Sequence, residues 1–380
     1  MSETLTSGRP LPLAGTAARV RTRSLFLSTR SAEPCGVETF TRTLVEALAA
    51  RDHDGPYELV TVSGRWRDVP GLLRRIAQAD RIVFGFPLVA WKRMLVIPLV
   101  LLLFAFLSRR RISTFAHEWT GLNWLRRLVL SPYLLISRNI LVLSPLIAAQ
   151  IADDRFVGRT ARKCRLVPHP PTVRRPEGRA VTETVRALER AGRDADIVIG
   201  HFGAIYQGKA AMALLELCDH LRGRGIRALM VFIGSFTPSL DGYEGKFRAR
   251  IRELGLEDQV IVTGYVADTA EVFALFERIG VFVFLFPEGL TARRSSVITC
   301  LQSKRPVVVS APQSLDEFRH HEGLSALIEA GSLSFVPRTA MVDEIADWLL
   351  AAVRHPAEGR ATIDGDAWWA ATTQATCRAL

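Results

Sequence analysis

Short, continuous apolar runs alternate along this chain with longer stretches whose apolar residues recur every three or four positions. The first kind predicts strands and the second amphipathic helices. In the first half the runs are Ser24–Ser28, Glu58–Val62, Arg81–Phe86, Ile112–Ala116, Asn139–Leu143 and Arg165–Val167. A polar, proline-rich stretch follows, PHPPTVRRPEG from Pro168 to Gly178, which reads as a linker. The second half restarts with DIVIGHFG (Asp196–Gly203), ALMVFIGS (Ala228–Ser235), QVIVTGYV (Gln259–Val266), GVFVFLFP (Gly280–Pro287) and RPVVVSAP (Arg305–Pro312). Met212, Leu215, Cys218 and Leu221 share one face of the helix between the first two of these, and that face is core packing.

Strand-helix alternation of this kind predicts an α/β fold with parallel sheets covered by helices. At 380 residues the chain is long for one domain. The expected arrangement is two Rossmann-like, doubly wound domains facing each other across a cleft. A tail (1–20) precedes a first domain (21–170), a linker (171–190), a second domain (191–355) and a last helix at the domain junction (356–380). The tail lacks the continuous apolar core of a signal peptide. Ligands of such sheets sit beyond the carboxyl ends of the strands, which places a site in the cleft.

Charge changes this picture for one half only. The formal net charge is +11, and residues 1–165 hold about 25 basic and 12 acidic side chains against about 24 and 26 in the remainder. A polyanion facing the first domain, either an anionic membrane or a nucleic acid, suits that bias, and solubility charge spread over an arginine-rich protein is the other reading. The run Met94–Leu107, MLVIPLVLLLFAFL, has basic flanks (Lys92, Arg93; Arg109, Arg110, Arg111) and is shorter than the roughly 20 residues a spanning helix requires. It reads either as a buried core helix or as a helix dipping into one leaflet; Trp91, and a second cluster of Trp119, Trp124, Arg126 and Arg127, favour the second, as peripheral attachment to a membrane. The five cysteines are widely spaced, without a CxxC, which argues for neither a disulfide framework nor a zinc site.

Three strand-to-loop turns carry candidate chemistry. Gly36 precedes a helix from Val37 onward, either to admit a ligand to the backbone or as a plain tight turn. Lys209 stands near a helix start, where a cation opposes the helix dipole unless an anion is bound; a solvated surface lysine is the other reading. In FPEGLTARRSSVITCLQSKRP, Glu288 arrives at a strand end beside Gly289. Arg293 and Arg294 follow, then Ser295 and Ser296 suit the first turn of a helix. Asp52-His53-Asp54 has the form of a metal-binding DxD but sits in a polar loop and reads as a turn.

Together these loops resemble the retaining, nucleotide-sugar-dependent glycosyltransferases of the GT-B fold, in particular the GT4 family. Gly36-Val37-Glu38 is similar to that family's "GG-x-E" loop with Cys35 in place of the first glycine. HFGAIYQGKAAM resembles its "GRLxxxKG" segment. The stretch ELGLEDQVIVTGYVADTAEVFALFERIGVFVFLFPEG resembles "LGLxDRVxFTGYVxxxE…ADVFVxPSxxEG", and RPVVVSA resembles "GRPVVA". The resemblance is good over about 196–312 and patchy before that. It implies that Lys209 neutralises the donor diphosphate and that Gly36 lines the cleft near the phosphates. Glu288 and His117 would contact the transferred sugar, while Gly264, Tyr265 and Val266 would face the nucleobase. The co-substrate would be a UDP- or GDP-sugar, with no other cofactor and no metal.

Two departures qualify the resemblance. Ala204 replaces the usual arginine, and the second glutamate of E-x7-E is missing, with Ser296 or Thr299 at the possible positions. A variant pattern in exopolysaccharide assembly, "DGxSxRRGSLxxALAxGxPVV", aligns without a gap to EGLTARRSSVITCLQSKRPVV. On that register Arg293, Arg294, Ser295 and Ser296 serve the diphosphate, and ribose recognition falls to Thr299, Gln302 or elsewhere. The expected acceptor is a lipid-linked glycan at the cytoplasmic membrane face. The alternative is a non-catalytic GT-B subunit of a glycan assembly complex. A nucleic-acid partner leaves the second-domain motifs unexplained and is not expected.

Overall fold

A computed structural model describes residues 22–29, 36–51, 55–86, 96–178, 180–206, 210–237, 242–354 and 363–380. Cys35, Asp52-His53-Asp54, Trp91–Arg93 and Lys209 lie outside them, as does the tail. The first sheet holds β1 (Ser24–Ser28), β2 (Tyr57–Thr61), β3 (Arg81–Phe86), β4 (Arg111–Ala116), β5 (Asn139–Val142) and β6 (Cys164–Leu166) in the order β2-β1-β3-β4-β5-β6. The second holds β7 (Ile197–Phe202), β8 (Ala228–Ile233), β9 (Val260–Val262), β10 (Val281–Phe284), β11 (Val307–Ser310) and β12 (Leu333–Val336), ordered β12-β11-β10-β7-β8-β9. Every pairing in both is parallel.

In the first domain the crossovers are α1 (Gly36–Ala50), α2 (Val69–Ala77), α3 (Val96–Leu107), α4 (Trp124–Ile136) and α5 (Pro145–Ala152). Side chains alternate across the strands, so Leu25, Leu27, Ile82 and Phe84 face α2 to α5 while Phe26 and Val83 face α1. The second domain is wound by α6 (Glu183–Gly192), α7 (Ala211–Gly223), α8 (Tyr243–Glu253), α9 (Thr269–Phe276), α10 (Ser295–Leu301), α11 (Glu322–Glu329) and α12 (Val342–Arg354). Its strands divide the same way, with Leu229 and Val231 in one core and Met230 and Phe232 in the other.

The last helix, α13 (Gly365–Ala379), returns to the first sheet. Asn139 Nδ2 donates to Ala379 O at 2.8 Å, and Thr372 Oγ1 donates to Pro168 O at 2.9 Å. Trp369 is buried beside Phe40, while its neighbour Trp368 meets the edge of His321 from the second half at 4.5 Å. One helix thus ties both halves together.

The apolar run is shared between core and surface. In α3, Ile97, Leu101, Leu102 and Ala105 face the sheet, whereas Leu103, Phe106 and Leu107 are exposed. Helix α4 lies over the same side of the sheet and exposes Trp124, Leu125, Leu128 and Leu135. Trp119 corrects the sequence reading: it is fully buried, and its indole N–H donates to Asp154 Oδ2 at 3.0 Å. No helix among the described residues is long and apolar enough to cross a membrane.

Candidate active site in the interdomain cleft

The loop leaving β10 is pinned to the end of β11. Gly289 has φ +83°, and a Cβ there would lie 2.2 Å from Ala311 O, so only glycine fits. Leu290 N–H then donates to Ser310 O at 3.0 Å, which aims the next residues into the cleft. A second close approach shapes the neighbouring loops, since a Cβ on Gly234 would meet Gly203 O at 2.2 Å.

On this loop Glu288, Arg293 and Arg294 form one cluster. Glu288 Oε1 accepts from Arg293 Nη2 at 2.9 Å and also from Arg294 Nη2. Both arginines are thus paired with Glu288 directly. Arg294 is the more enclosed of the two, with its guanidinium carbon 4.3 Å from the Phe286 ring centroid. Helix α10 begins at Ser295, and its N-cap residue, Arg294, makes no side-chain capping hydrogen bond.

Glu317, which the sequence reading missed, joins this loop to the first domain. It accepts from Ala292 N at 2.9 Å, from Leu146 N at 3.2 Å and from Ser144 Oγ. Ser144 is the N-cap of α5, so a carboxylate of the second domain sits on a helix start of the first. Burial raises the Glu317 pKa, against the pull of those donors and of Arg293. Nothing in QSLDEF signals this role, because the partners are far away in sequence.

His117 follows β4 at the carboxyl end of the first sheet. Its backbone N–H donates to Phe86 O at 2.9 Å, its ring stacks on Phe115 at 5.0 Å, and Phe40 meets it edge-on at 5.4 Å. Nε2 is buried and has no partner among the described residues. Burial lowers the His117 pKa to about 3, helped by His169 and by Arg293 of the second domain. The ring is therefore neutral at physiological pH, with Arg293 close enough for its charge to register. His169 is likewise lowered to about 3, first by burial.

These depressed values give a stability prediction with a definite sign. The unfolded chain takes up protons on both histidines as pH falls through about 6.5, while the folded protein does not until about 3. The stabilisation is complete above about 6.5 and is lost as pH falls. Near pH 5 each histidine is expected to cost about 2 kcal/mol. Urea unfolding from pH 7 to 5 should reveal the slope, and His169→Gln should flatten it. A pH-independent midpoint would contradict the buried, neutral assignment.

The other predicted residues are dispersed. Gly36 opens α1 and is exposed. Gly264, at φ +76°, Tyr265 and Val266 follow the edge strand β9, and Tyr265 is exposed. Lys209 lies outside the described residues, just before Ala210, which holds a left-handed φ of +48°. Ser295 and Ser296 are half-buried at the start of α10. Thr299 is fully buried inside α10, and this corrects its assignment to a ribose. Gln302 is buried too, and its Nε2 donates to Val173 O of the linker at 2.8 Å.

No family model matches the chain. A Bacillus subtilis (strain 168) protein named "Putative glycosyltransferase EpsF" is 25% identical over 253 residues, covering 63% of this chain and 58% of that protein. The chain thus matches little more than half the length of that relative. Among solved structures, Anabaena HepE in complex with UDP is similar at TM-score 0.62 and 14% identity, over 94% of both chains. Sucrose-phosphate synthase from Thermosynechococcus elongatus is similar at TM-score 0.57 and 15% identity, again over 94% of both. The apo lipopolysaccharide outer core galactosyltransferase WaaB gives 0.55 and 13%, over 94% of this chain and 99% of that one. With two six-stranded parallel sheets whose carboxyl ends meet at Glu317, the chain has the GT-B fold.

Proposed function

We propose that this chain is a glycosyltransferase that takes a sugar from a UDP- or GDP-sugar and transfers it, with retention, to a lipid-linked glycan. The observation that carries the reading is the cluster of Glu288, Arg293 and Arg294 on a second-domain loop that Glu317 joins to the first domain. As the glycosidic bond breaks, its electron pair leaves on a diphosphate oxygen, and catalysis needs cations where that charge develops. Arg293 is the better-placed cation, because Arg294 is held against Phe286. Lys209 is proposed as a second. Glu288 positions the sugar hydroxyls, His117 offers Nε2 to the same sugar, and the exposed Tyr265 offers a ring to the base.

Purified protein should release nucleoside diphosphate from a UDP-, GDP- or dTDP-sugar. If no donor is consumed or bound, the chain is a non-catalytic GT-B subunit instead.

The acceptor side follows from the first domain's surface. Exposed apolar faces of α3 and α4, flanked by Arg109–Arg111 and by Arg126 and Arg127, support peripheral attachment to the inner face of the cell membrane. The protein should float with vesicles containing anionic lipid at low salt and be released by high salt. The triple variant Leu103→Asp, Phe106→Asp, Leu107→Asp should not float. Equal flotation of wild type and variant, or none by either, would refute the attachment.

A further inference from the structure

A pocket of about 510 Å³ lies at the opposite end of the second sheet from the cleft, lined by Arg175, Glu277, Arg278, Ser303, Lys304 and Arg305. Glu277 and Arg278 come just before β10, and Lys304 and Arg305 just before β11, so the pocket sits at the amino ends of these parallel strands. The cluster of Glu288, Arg293 and Arg294 follows the carboxyl end of β10. Helix α10 runs from that cluster to the pocket, and its seven residues span about 10 Å. The two sites are therefore separate.

Four of the six lining side chains are cations, and Glu277 is the one carboxylate among them. Two of the cations are held by backbone carbonyls, which orient a guanidinium without cancelling its charge. Arg305 Nη2 donates to Glu277 O at 2.7 Å, and Arg175 Nη1 donates to Gln302 O at 3.3 Å. Glu277 Oε1 lies 3.9 Å from Arg175 Nη2, too far for a hydrogen bond. Arg278 is paired with Glu189 of α6. Lys304 adds charge at a conformational cost, because it holds a left-handed φ of +60°. Glycine stands at this position in both patterns that the stretch resembles, GxPVV and GRPVVA, and would adopt that backbone without strain. This chain instead has an exposed cation there, at the rim of a basic pocket.

We propose that this pocket binds a small, multiply charged phosphate anion, which clamps the linker to the second domain. Converging cations in a concave site focus a positive field, and guanidinium forks match phosphate oxygens. No aromatic or aliphatic residue lines the pocket to receive a nucleobase or the face of a sugar ring, so the ligand is the phosphate group itself. Arg175 belongs to the linker and the other three cations to the second domain. The linker is already tied to the end of α10 by Gln302 Nε2, which donates to Val173 O at 2.8 Å, and a bound anion would strengthen that junction. The inference goes beyond glycosyl transfer and does not depend on it.

Calorimetric titration of the full chain with inorganic pyrophosphate, at low salt and without divalent cations, tests the site. Arg293→Ala should still bind pyrophosphate, which separates this pocket from the donor cluster. Lys304→Gly and Arg175→Gln should each weaken binding about tenfold or more, as expected for loss of a charged hydrogen-bond donor. Lys304→Gly also relieves the left-handed backbone, so its loss of binding is not a loss of fold. Arg159→Gln with Arg162→Gln removes two exposed cations of the first domain and should leave the affinity unchanged. Amide exchange in residues 172–175 and 303–305 should slow when pyrophosphate is bound. Absence of binding, or binding that survives both pocket variants, would overturn the proposal. So would equal weakening by the first-domain pair, which would mean diffuse charge attraction, or loss of binding in Arg293→Ala. Binding that protects neither segment would also overturn it.

Discussion

Glu288→Ala is expected to lower glycosyl transfer by about 10²- to 10³-fold, the range in which single positioning or electrostatic groups act, and to leave the fold intact. The fold should survive because the loop is shaped by groups other than this carboxylate. Gly289 sets its turn, Leu290 bonds to Ser310, and Ala292 bonds to Glu317. Removing Glu288 also frees Arg293 and Arg294 from their shared partner. Those cations then meet a donor diphosphate with less competition. The loss should therefore fall on kcat, with the donor KM unchanged or lowered, which is the pattern for a group that acts on the transferred sugar. Near wild-type turnover would remove Glu288 from the site. A rise in donor KM at constant kcat would assign it to diphosphate binding.

Glu317→Ala is expected to lower the unfolding free energy by about 3 kcal/mol. Three donors, Ser144 Oγ, Leu146 N and Ala292 N, lose their acceptor at once, and Ala292 is fully buried. The carboxyl's raised pKa shows that burial opposes its charge, so its worth lies in the acceptors it offers. Glu317→Gln, which keeps one carbonyl acceptor, should lose less. Because the contact spans both domains, the alanine variant should also speed amide exchange in residues 286–294 beyond any change in the cores. A stability change under about 0.5 kcal/mol, the scale of ordinary surface substitutions, with unchanged loop exchange, would show that Glu317 is not the latch.

Much of the architecture was legible in the sequence because buried parallel strands are apolar along their whole length. Every run identified that way contains a strand. The strand not identified is β12, LSFV, where Ser334 interrupts an already short apolar run. The loop from Glu288 to Ser296 was legible as a unit through its glycine, its paired arginines and its helix start. What could not be read were relations across the fold. Thr299 was counted from motif spacing, but helical phase turns it into the core. Trp119 sits near Trp124 in sequence, yet Asp154 draws its indole inward. Glu317 meets Ser144 across 173 positions, a juxtaposition that only the closing of two sheets creates.

The account turns on Arg293 as the cleft's diphosphate-binding cation, and donor binding tests this most directly. Thermal unfolding should be followed with saturating UDP and GDP for the wild type and Arg293→Ala. A ligand that binds only the folded state raises stability by about 2.7 kcal/mol at a hundredfold excess over its dissociation constant. The predicted result is a raised midpoint with one of the two nucleotides in the wild type and a much smaller shift in the variant. Equal shifts in both proteins, or no shift with either nucleotide, would contradict it.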